Sequence, residues 1–427
     1  MRNIKQILKD IIISWDATPL PIIKERDTDL LKIFDKNIKK IIAVIGFRRV
    51  GKTFTLLDFA KKYGKENCIY INFEDERLPQ RTETLTEFIE VLKELKGNKP
   101  LILLLDEIQE IDNWSTWARR INETTNYHLI LSGSSSKLSS KEIPTELRGH
   151  SISLQIFPLS FKEFLRFKQV EAQNIPQSNL LNHLREYLFS GGFPEVVLSD
   201  EGLKPLIISE YYNTFVTRDI IERYKLRNPE ALKDLLGLIL NSRSYTYSKL
   251  ANTLKSLGHK IGKGTVLKYM KWLESSFFLE SLDVFSKNIK TRIQTPKKNY
   301  IVDNYFSYRL SNSKSENIGH LMEQLVFNEL LRKKTKDPIL EISYFKNVLH
   351  EEVDFVISSN KAPKEIIQVT YALKEFEINE REIKALIKAK EALNCQDLKI
   401  ITWEFDGTIS KNGHLIRCIP LVKWLLE

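Results

Sequence analysis

The amino-terminal third of the chain alternates short apolar runs with segments of helical periodicity. Four runs, at residues 41–45, 69–73, 101–105 and 127–131, are almost free of charge. Between them, the segments 84–96 and 114–122 repeat apolar residues every three or four positions. Strands buried on both faces and joined by helices produce this alternation. The pattern predicts an α/β fold built on a parallel sheet.

The first apolar run leads directly into a glycine-containing loop. From Gly46 the chain reads Gly-Phe-Arg-Arg-Val-Gly-Lys-Thr, which fits the pattern G-x-x-x-x-G-K-[ST]. In such a loop, backbone N–H groups and the start of the next helix surround phosphate oxygens. We expect Lys52 to reach the β- and γ-phosphates and the Thr53 hydroxyl to bind Mg²⁺. The predicted nucleotide contacts in this stretch are Gly46, Arg48, Arg49, Val50, Gly51, Lys52, Thr53 and Phe54.

The third apolar run ends in two carboxylates, Asp106 and Glu107. Residues just beyond the carboxyl end of a parallel strand face the ligand crevice of an open sheet. We therefore predict that Asp106 holds Mg²⁺ together with Thr53. Glu107 is placed to polarise the attacking water as a general base.

Small polar residues follow the fourth run, and an arginine precedes a further predicted strand at 151–156. Ser132 or Ser134 would sense the γ-phosphate by hydrogen bonding, or would simply suit a turn. Arg148 would act as an arginine finger on phosphate, or would form a surface ion pair. The sequence leaves both pairs of alternatives open.

The composition indicates a basic protein from a reducing compartment. Lys and Arg number 65 against 55 Asp and Glu, a net charge of +10. This excess suits a polyanionic partner, although it would also serve solubility. The three cysteines have no paired spacing and indicate buried or free thiols, typical of a cytoplasmic protein. The longest amino-terminal apolar run, 11–15, is too short for a membrane span or a secretion signal.

Residues 228–300 have the pattern of a winged helix. Helices are predicted at 229–241, 248–255 and 266–275, the last as the recognition helix, with wing strands at 277–285 and 298–302. Basic residues cluster here: Lys260, Lys263, Lys268, Lys271, Lys287, Lys290, Arg292, Lys297 and Lys298. They would contact the phosphates of double-stranded DNA without reading sequence. The alternatives are a protein-packing module or a solvated charged face.

The last stretch, from residue 311, predicts a third α/β unit with a possible metal site. Glu323 lies on an amphipathic helix, and Asp354 and Gln368 lie on two successive strands. Carboxylates gathered in this way bind a divalent metal that activates water. The order resembles the PD-(D/E)xK nuclease fold, but Thr370 stands where that fold has lysine, and Lys374 is the nearest substitute.

Taken together, the motifs identify a family resemblance. The phosphate loop, Asp106-Glu107, 132–136, 147–149, 157–164 and 191–195 occur in an order that resembles the archaeal and bacterial AAA+-like ATPases related to the STAND class. That resemblance implies ATP as the nucleotide, a helical lid, a winged helix and a nuclease-like carboxy-terminal domain. Relatives often have Arg-Gly-Arg where this chain has Arg-Gly-His at 148–150, so a second arginine is missing here.

The expected domains are a leader of two helices at 1–40, a P-loop ATPase core at 41–158, a lid at 159–227, a winged helix at 228–310 and a nuclease-like domain at 311–427. The first functional hypothesis is an ATP-hydrolysing switch that acts on DNA. The alternatives are an ATP-gated, metal-dependent DNA endonuclease and a nucleotide-driven signalling or defence scaffold that forms homo-oligomers.

Overall fold

The computed structural model describes residues 3–133, 147, 149–311 and 318–427. The chain divides into two compact units. The first comprises residues 1–157 and 275–277, and the second comprises residues 158–274 and 278–427.

A five-stranded parallel sheet forms the centre of the first unit. Its strands are β1 (Ile41–Ile45), β2 (Cys68–Asn72), β3 (Ile102–Asp106), β4 (His128–Gly133) and β5 (Ser151–Gln155), in the spatial order β2-β3-β4-β1-β5. β1, β3 and nearly all of β4 are buried, as their apolar runs predict. β4 therefore lies between the strand that leads into the phosphate loop and the strand that ends in Asp106.

The described residues of this unit also form the helices α1 (Ile4–Ala17), α2 (Lys52–Tyr63), α3 (Thr82–Lys96) and α4 (Trp114–Thr124). Short 3₁₀ turns lie at Leu30–Lys32, Lys65–Asn67 and Ile108–Glu110. Leu8 and Ile12 of α1 are buried in the same apolar core as the sheet. Lys9 pairs with Glu94 of α3 at 2.7 Å. The leader helix is thus an integral part of the first unit.

The second helix expected in the leader is absent from the described residues between α1 and β1, where only the turn Leu30–Lys32 forms. Aspartates in this stretch bind nearby backbone N–H groups. Asp29 accepts from the N–H of Leu31 at 3.0 Å, and Asp35 accepts from the N–H of Asn37 at 2.8 Å. Such local side-chain bonds compete with helical hydrogen bonding and favour turns.

The second unit begins with a helical region and continues with a small sheet. The helical region contains α5 (Phe161–Phe167), α6 (Gln177–Ser190), α7 (Pro194–Leu198), α8 (Lys204–Thr214) and a π-helical stretch, Phe215–Glu222. Next come α9 (Pro229–Leu240), α10 (Tyr247–Ser256), α11 (Lys263–Ser275), α12 (Ile289–Gln294) and α13 (Asn304–Leu310). Strands β6 (Ser244–Tyr245), β7 (Leu279–Leu282) and β8 (Lys297–Ile301) form a three-stranded antiparallel sheet in the order β6-β8-β7.

A six-stranded mixed sheet forms the carboxy-terminal part. Its strands are β9 (Leu340–Lys346), β10 (Glu352–Ser359), β11 (Ala362–Val369), β12 (Asp397–Thr402), β13 (Gly407–Lys411) and β14 (His414–Pro420), ordered β13-β14-β12-β11-β10-β9. The accompanying helices are α14 (Ile318–Lys336), α15 (Glu380–Leu393) and α16 (Leu421–Leu426). Phe355 and Ile367 pack with α14, whereas the neighbouring Val356 and Ile366 pack with α15. The α/β class, the parallel sheet and the carboxy-terminal sheet domain are thus confirmed.

The three cysteines, Cys68, Cys395 and Cys418, are buried free thiols, as their spacing predicts. Within the described ranges, no helix combines the length and the apolar character that a bilayer span requires.

The Gly191-Gly192 break after α6 is fixed by a buried carboxylate from far along the chain. Asp303 accepts hydrogen bonds from the N–H of Gly192 at 2.7 Å and of Tyr305 at 2.9 Å. A side chain at Gly191 would collide with this carboxylate. Burial raises the pKa of Asp303 to about 6, although the two backbone donors lower it in part.

Replacing Asp303 with asparagine should change how stability depends on pH. The folded-state pKa of Asp303 lies above its ordinary value, so the folded protein holds this proton more tightly. The resulting stabilisation is complete below about pH 4 and is lost as the pH rises through about 6. As the pH rises from about 4 to 7, the free energy of unfolding of wild type should fall by roughly 2–3 kcal/mol relative to that of Asp303→Asn, which has no proton to lose. Urea unfolding at both pH values measures this, and an unchanging difference would contradict it.

Candidate functional site

Two glycines fix the shape of the loop between β1 and α2. Gly46 has φ +146°, and a Cβ there would collide with the carbonyl oxygen of Ile156. Gly51 adopts a left-handed conformation, φ 101°, where α2 begins. Residues with side chains rarely adopt such dihedrals, which explains both glycines of the motif.

Internal hydrogen bonds hold the loop in place. Lys52 is buried, and its Nζ donates to the carbonyl oxygen of Phe47 at 3.1 Å. Arg26 donates to the carbonyl oxygens of Val50 and Phe157, each at 2.9 Å. Arg26 therefore connects the loop to the segment that follows β5. No sequence pattern pointed to Arg26, because it lies in an irregular part of the leader.

Three hydroxyl groups surround Asp106 at the carboxyl end of β3. Thr53 Oγ1 donates to Asp106 Oδ2 at 2.7 Å, and the Tyr70 hydroxyl donates to the same oxygen at 2.8 Å. Ser132, from the intervening strand β4, donates to Oδ1. Asp106 is only 1% exposed. The predicted partners Thr53 and Asp106 are thus in direct contact.

The electrostatics at this edge favour a cation. Burial and the negative charge of Glu107 raise the pKa of Asp106, and hydrogen bonds from the three hydroxyls lower it in part. Burial, Glu107 and Glu110 also raise the pKa of Glu74, while Arg48 lowers it. Carboxylates whose ionised form is disfavoured by burial and by one another gain most from a nearby positive charge.

Glu107 has an unusual backbone conformation, with φ 50° in the left-handed region. Its side chain is half-buried and accepts a hydrogen bond from Gln109 Nε2 at 2.5 Å. Residues other than glycine in this region store local strain, which is concentrated at functional sites. The strained backbone of Glu107 turns the chain directly after Asp106, the last residue of β3.

Of the other predicted nucleotide contacts, two are exposed side chains. Arg49 is exposed and has φ 63°, and Phe54 is exposed on the first turn of α2. Ser134 and Arg148 lie outside the described residues. Tyr70 was missed by the sequence analysis, because its contact with Asp106 depends on β2 pairing beside β3.

The residues at this edge fit a magnesium ion. Mg²⁺ binds oxygen ligands and usually combines one or two protein groups with substrate phosphates. The Thr53 hydroxyl and the Asp106 carboxylate lie together, and the loop that would surround phosphates ends at Gly51, where α2 begins. Thr53 and Asp106 would hold the ion.

A second group of carboxylates meets a positive charge from the chain itself. Lys298 of β8 is 5% exposed, and its Nζ lies 2.9 Å from Glu323, 3.1 Å from Glu352 and 2.8 Å from Asp354. Tyr300 also donates to Glu323, at 2.7 Å. Three carboxylates from α14 and β10 therefore converge on one ammonium group.

This arrangement differs from the divalent metal site predicted from Glu323, Asp354 and Gln368. The residues do come together, with Gln368 Oε1 accepting from the Asp354 N–H at 3.3 Å, but Lys298 supplies the cation. Across the described ranges, no group of three or more His, Cys, Asp or Glu side chains could hold a metal ion. Lys374, the nearest substitute for the lysine that Thr370 replaces, is exposed.

Lys298 also determines how charge is shared among these acids. Burial would raise the pKa of Glu323, but the charge and hydrogen bond of Lys298 bring it below its usual value. Burial and the neighbouring Glu323 raise the pKa of Asp354, against the effect of Lys298. The ion-pair cluster is therefore a tightly coupled unit.

Comparison with known proteins identifies the family. Over 401 residues the chain is 38% identical to the uncharacterized protein MJ1544 of Methanocaldococcus jannaschii, covering 91% of this chain and 88% of that protein. The chain belongs to the same family as MJ1544. An uncharacterized protein of Haemophilus influenzae is 29% identical over 416 residues, covering 95% of this chain and 96% of its own length.

Two segments match family models. Residues 38–165 match the AAA domain, and residues 181–317 match a domain of unknown function, DUF8612. The first match spans β1, the phosphate loop and the acidic end of β3. The first unit therefore carries a P-loop AAA domain.

Solved structures show a more distant likeness. The Aeropyrum pernix ORC1 protein in complex with DNA matches with a TM-score of 0.31 and 12% identity, covering 77% of this chain and 93% of that chain. AMPPCP-bound DnaA from Aquifex aeolicus matches with a TM-score of 0.27 and 16% identity, covering 56% of this chain and 84% of that chain.

Removing the Lys298 charge should destabilise the protein strongly. Lys298→Met would leave three carboxylates without their shared cation, which should cost about 3–5 kcal/mol. Lys297→Met is the matched control, because Lys297 makes one ion pair with the more exposed Asp283 and should cost only about 0–1 kcal/mol. Urea unfolding compares the two variants. Equal midpoints would contradict the central role of Lys298.

Proposed function

We propose that the protein binds ATP with Mg²⁺ and hydrolyses it as a molecular switch. The observation that carries this proposal is the 2.7 Å hydrogen bond between Thr53 and Asp106, beside a glycine loop that leads into the start of α2. A hydroxyl and a carboxylate in contact at the carboxyl edge of a parallel sheet suit a metal–nucleotide complex. The match of residues 38–165 to the AAA domain supports the same class of ligand.

Each residue has a distinct role in this proposal. Lys52 exchanges its hydrogen bond to the neutral Phe47 carbonyl for contacts with the negatively charged β- and γ-phosphates. Thr53 and Asp106 would hold Mg²⁺, which would neutralise negative charge on the phosphates. Glu107 accepts a proton from the attacking water, and Gln109 orients its carboxylate. Ser132 holds Asp106 from the opposite side.

We further propose that the second unit binds double-stranded DNA. The order of α9, β6, α10, α11, β7 and β8 supports a winged-helix interpretation, with α11 as the recognition helix. Lys263, Lys268 and Lys271 of α11 are exposed. Lys297 and Lys298 are engaged in ion pairs, so they leave the predicted DNA-contacting set.

The endonuclease alternative has less support, because Lys298 occupies the position between Glu323 and Asp354 where the metal was expected. The scaffold alternative differs from the switch in its partner. It predicts no affinity for DNA, or an affinity that does not respond to salt, whereas phosphate contacts must weaken as salt rises.

Glu107→Gln should separate binding from hydrolysis. The variant should bind ATP as wild type does, and its turnover should fall by about 10²–10⁴-fold, because the amide cannot accept the proton of water. Lys52→Ala should instead lose most of its nucleotide affinity. Glu110→Gln, which removes a neighbouring carboxylate, is the control and should keep normal turnover. Calorimetric binding and phosphate release measure the two effects, and undiminished turnover in Glu107→Gln would remove Glu107 from the mechanism.

Alanine at Lys263, Lys268 and Lys271 should weaken DNA binding and its salt dependence. The slope of log affinity against log salt should become shallower by roughly 0.9 for each lost phosphate contact. A control with Lys233, Lys384 and Lys411 changed to alanine makes the same change in net charge, at residues that pair with glutamates. Fluorescence anisotropy across a salt series measures both. Equal slopes in the two triple variants would contradict a role for α11.

A further inference from the structure

The segment between β7 and β8 carries an exposed apolar feature that the proposed function does not use. All eight residues from 287 to 294, including the whole of α12, are exposed. Within them, Ile289 is 63% exposed and Ile293 is 72% exposed. Large β-branched residues this accessible on a short helix contribute nothing to the protein core. Apolar side chains that lie exposed together and are rimmed by polar residues are typical of interaction sites.

The two isoleucines form one ridge with positive charge on both sides. They are four residues apart on α12, which places them on the same face of the helix. Lys290 and Arg292 lie between them in sequence and flank the ridge at about 100° per residue. Lys287 precedes the helix, and the sequence from 284 to 298 contains no acidic residue. The ridge is therefore apolar at its crest and cationic at its edges.

The base that carries this ridge is firmly anchored. Lys297 pairs with Asp283 across the hairpin, and Tyr344 donates to the carbonyl oxygen of Pro296. Lys298, the next residue, is fixed in the buried carboxylate cluster. Asn288 caps α12 by accepting from the N–H of Lys290 at 2.9 Å. A projection held in this way loses little conformational entropy when it binds.

We propose that Ile289 and Ile293 form an apolar wedge that enters the minor groove of duplex DNA and bends it. This inference rests on the proposed DNA binding. Proteins that bend DNA from the minor groove insert apolar side chains between base steps, while neighbouring cations contact phosphates. The flanking Lys290 and Arg292 match the phosphates along the two groove edges. The absence of acidic residues from 284 to 298 gives this surface the charge that a polyanion requires.

The wedge also predicts which DNA binds best. Inserting a side chain partly unstacks a base step, and pyrimidine–purine steps such as TA resist this least. A-tracts are stiff and should resist it more. The protein should therefore prefer duplexes with a central TA step without reading base edges through hydrogen bonds.

The test compares wild type with Ile289→Ala/Ile293→Ala on end-labelled duplexes of about 30 base pairs that contain either a central TA step or an A-tract. Energy transfer between the ends reports bending, and anisotropy reports binding. Wild type should increase transfer and favour the TA duplex. The double variant should still bind, but its transfer should equal that of free DNA and its preference for TA should be lost.

Leu415→Ala is the matched control, because Leu415 is 66% exposed on β14 of the other sheet. It should bend DNA as wild type does. Both variants change only exposed side chains, and equal thermal unfolding would confirm that they fold. The proposal is contradicted if wild type binds without raising energy transfer between the DNA ends, or if the double variant bends the TA duplex as much as wild type does. Failure of wild type to bind either duplex at low salt would instead remove the proposed DNA binding.

Discussion

The candidate site of the first unit is built around one contact, the hydrogen bond between the hydroxyl of Thr53 and the carboxylate of Asp106. Thr53 lies beyond the loop that follows β1, and Asp106 ends β3. These strands are not neighbours in the sheet, because β4 lies between them. Ser132 at the end of β4 fills the gap by donating to the same carboxylate. The parallel order of the strands therefore brings the glycine loop, Asp106 and Glu107 to one edge, where we propose that they bind and hydrolyse ATP.

The two units contain buried carboxylates with different kinds of partner. Asp106 accepts hydrogen bonds from neutral hydroxyls, which satisfy its oxygens and leave its charge available to a bound cation. Asp354 shares the ammonium group of Lys298 with two glutamates, which satisfies its charge within the chain. A low-dielectric interior makes an unpaired charge costly, so each arrangement determines what can bind. The first suits a metal–nucleotide complex, and the second holds β8 against the carboxy-terminal sheet.

The sequence predicted what depends on local pattern. Uncharged runs such as 41–45 and 101–105 became central strands because burial on both faces leaves no room for charge. The sequence could not predict contacts made by tertiary pairing, such as that of Arg26 with the phosphate loop or of Lys298 with Asp354. The helix α12 was also missed, since it has no buried face to create a periodic pattern. Lys374 was named as the nearest substitute for the lysine that Thr370 replaces, whereas Lys298 reaches the carboxylates from another sheet.

The most direct test of the account is a crystal structure with a non-hydrolysable ATP analogue and Mn²⁺ in place of Mg²⁺. Anomalous scattering locates Mn²⁺ independently of the model. If ATP binds as proposed, one peak should lie at Thr53 and Asp106, with the phosphates within the loop that begins at Gly46. Phosphates outside that loop, or a peak at Glu323 and Asp354 in its place, would contradict it.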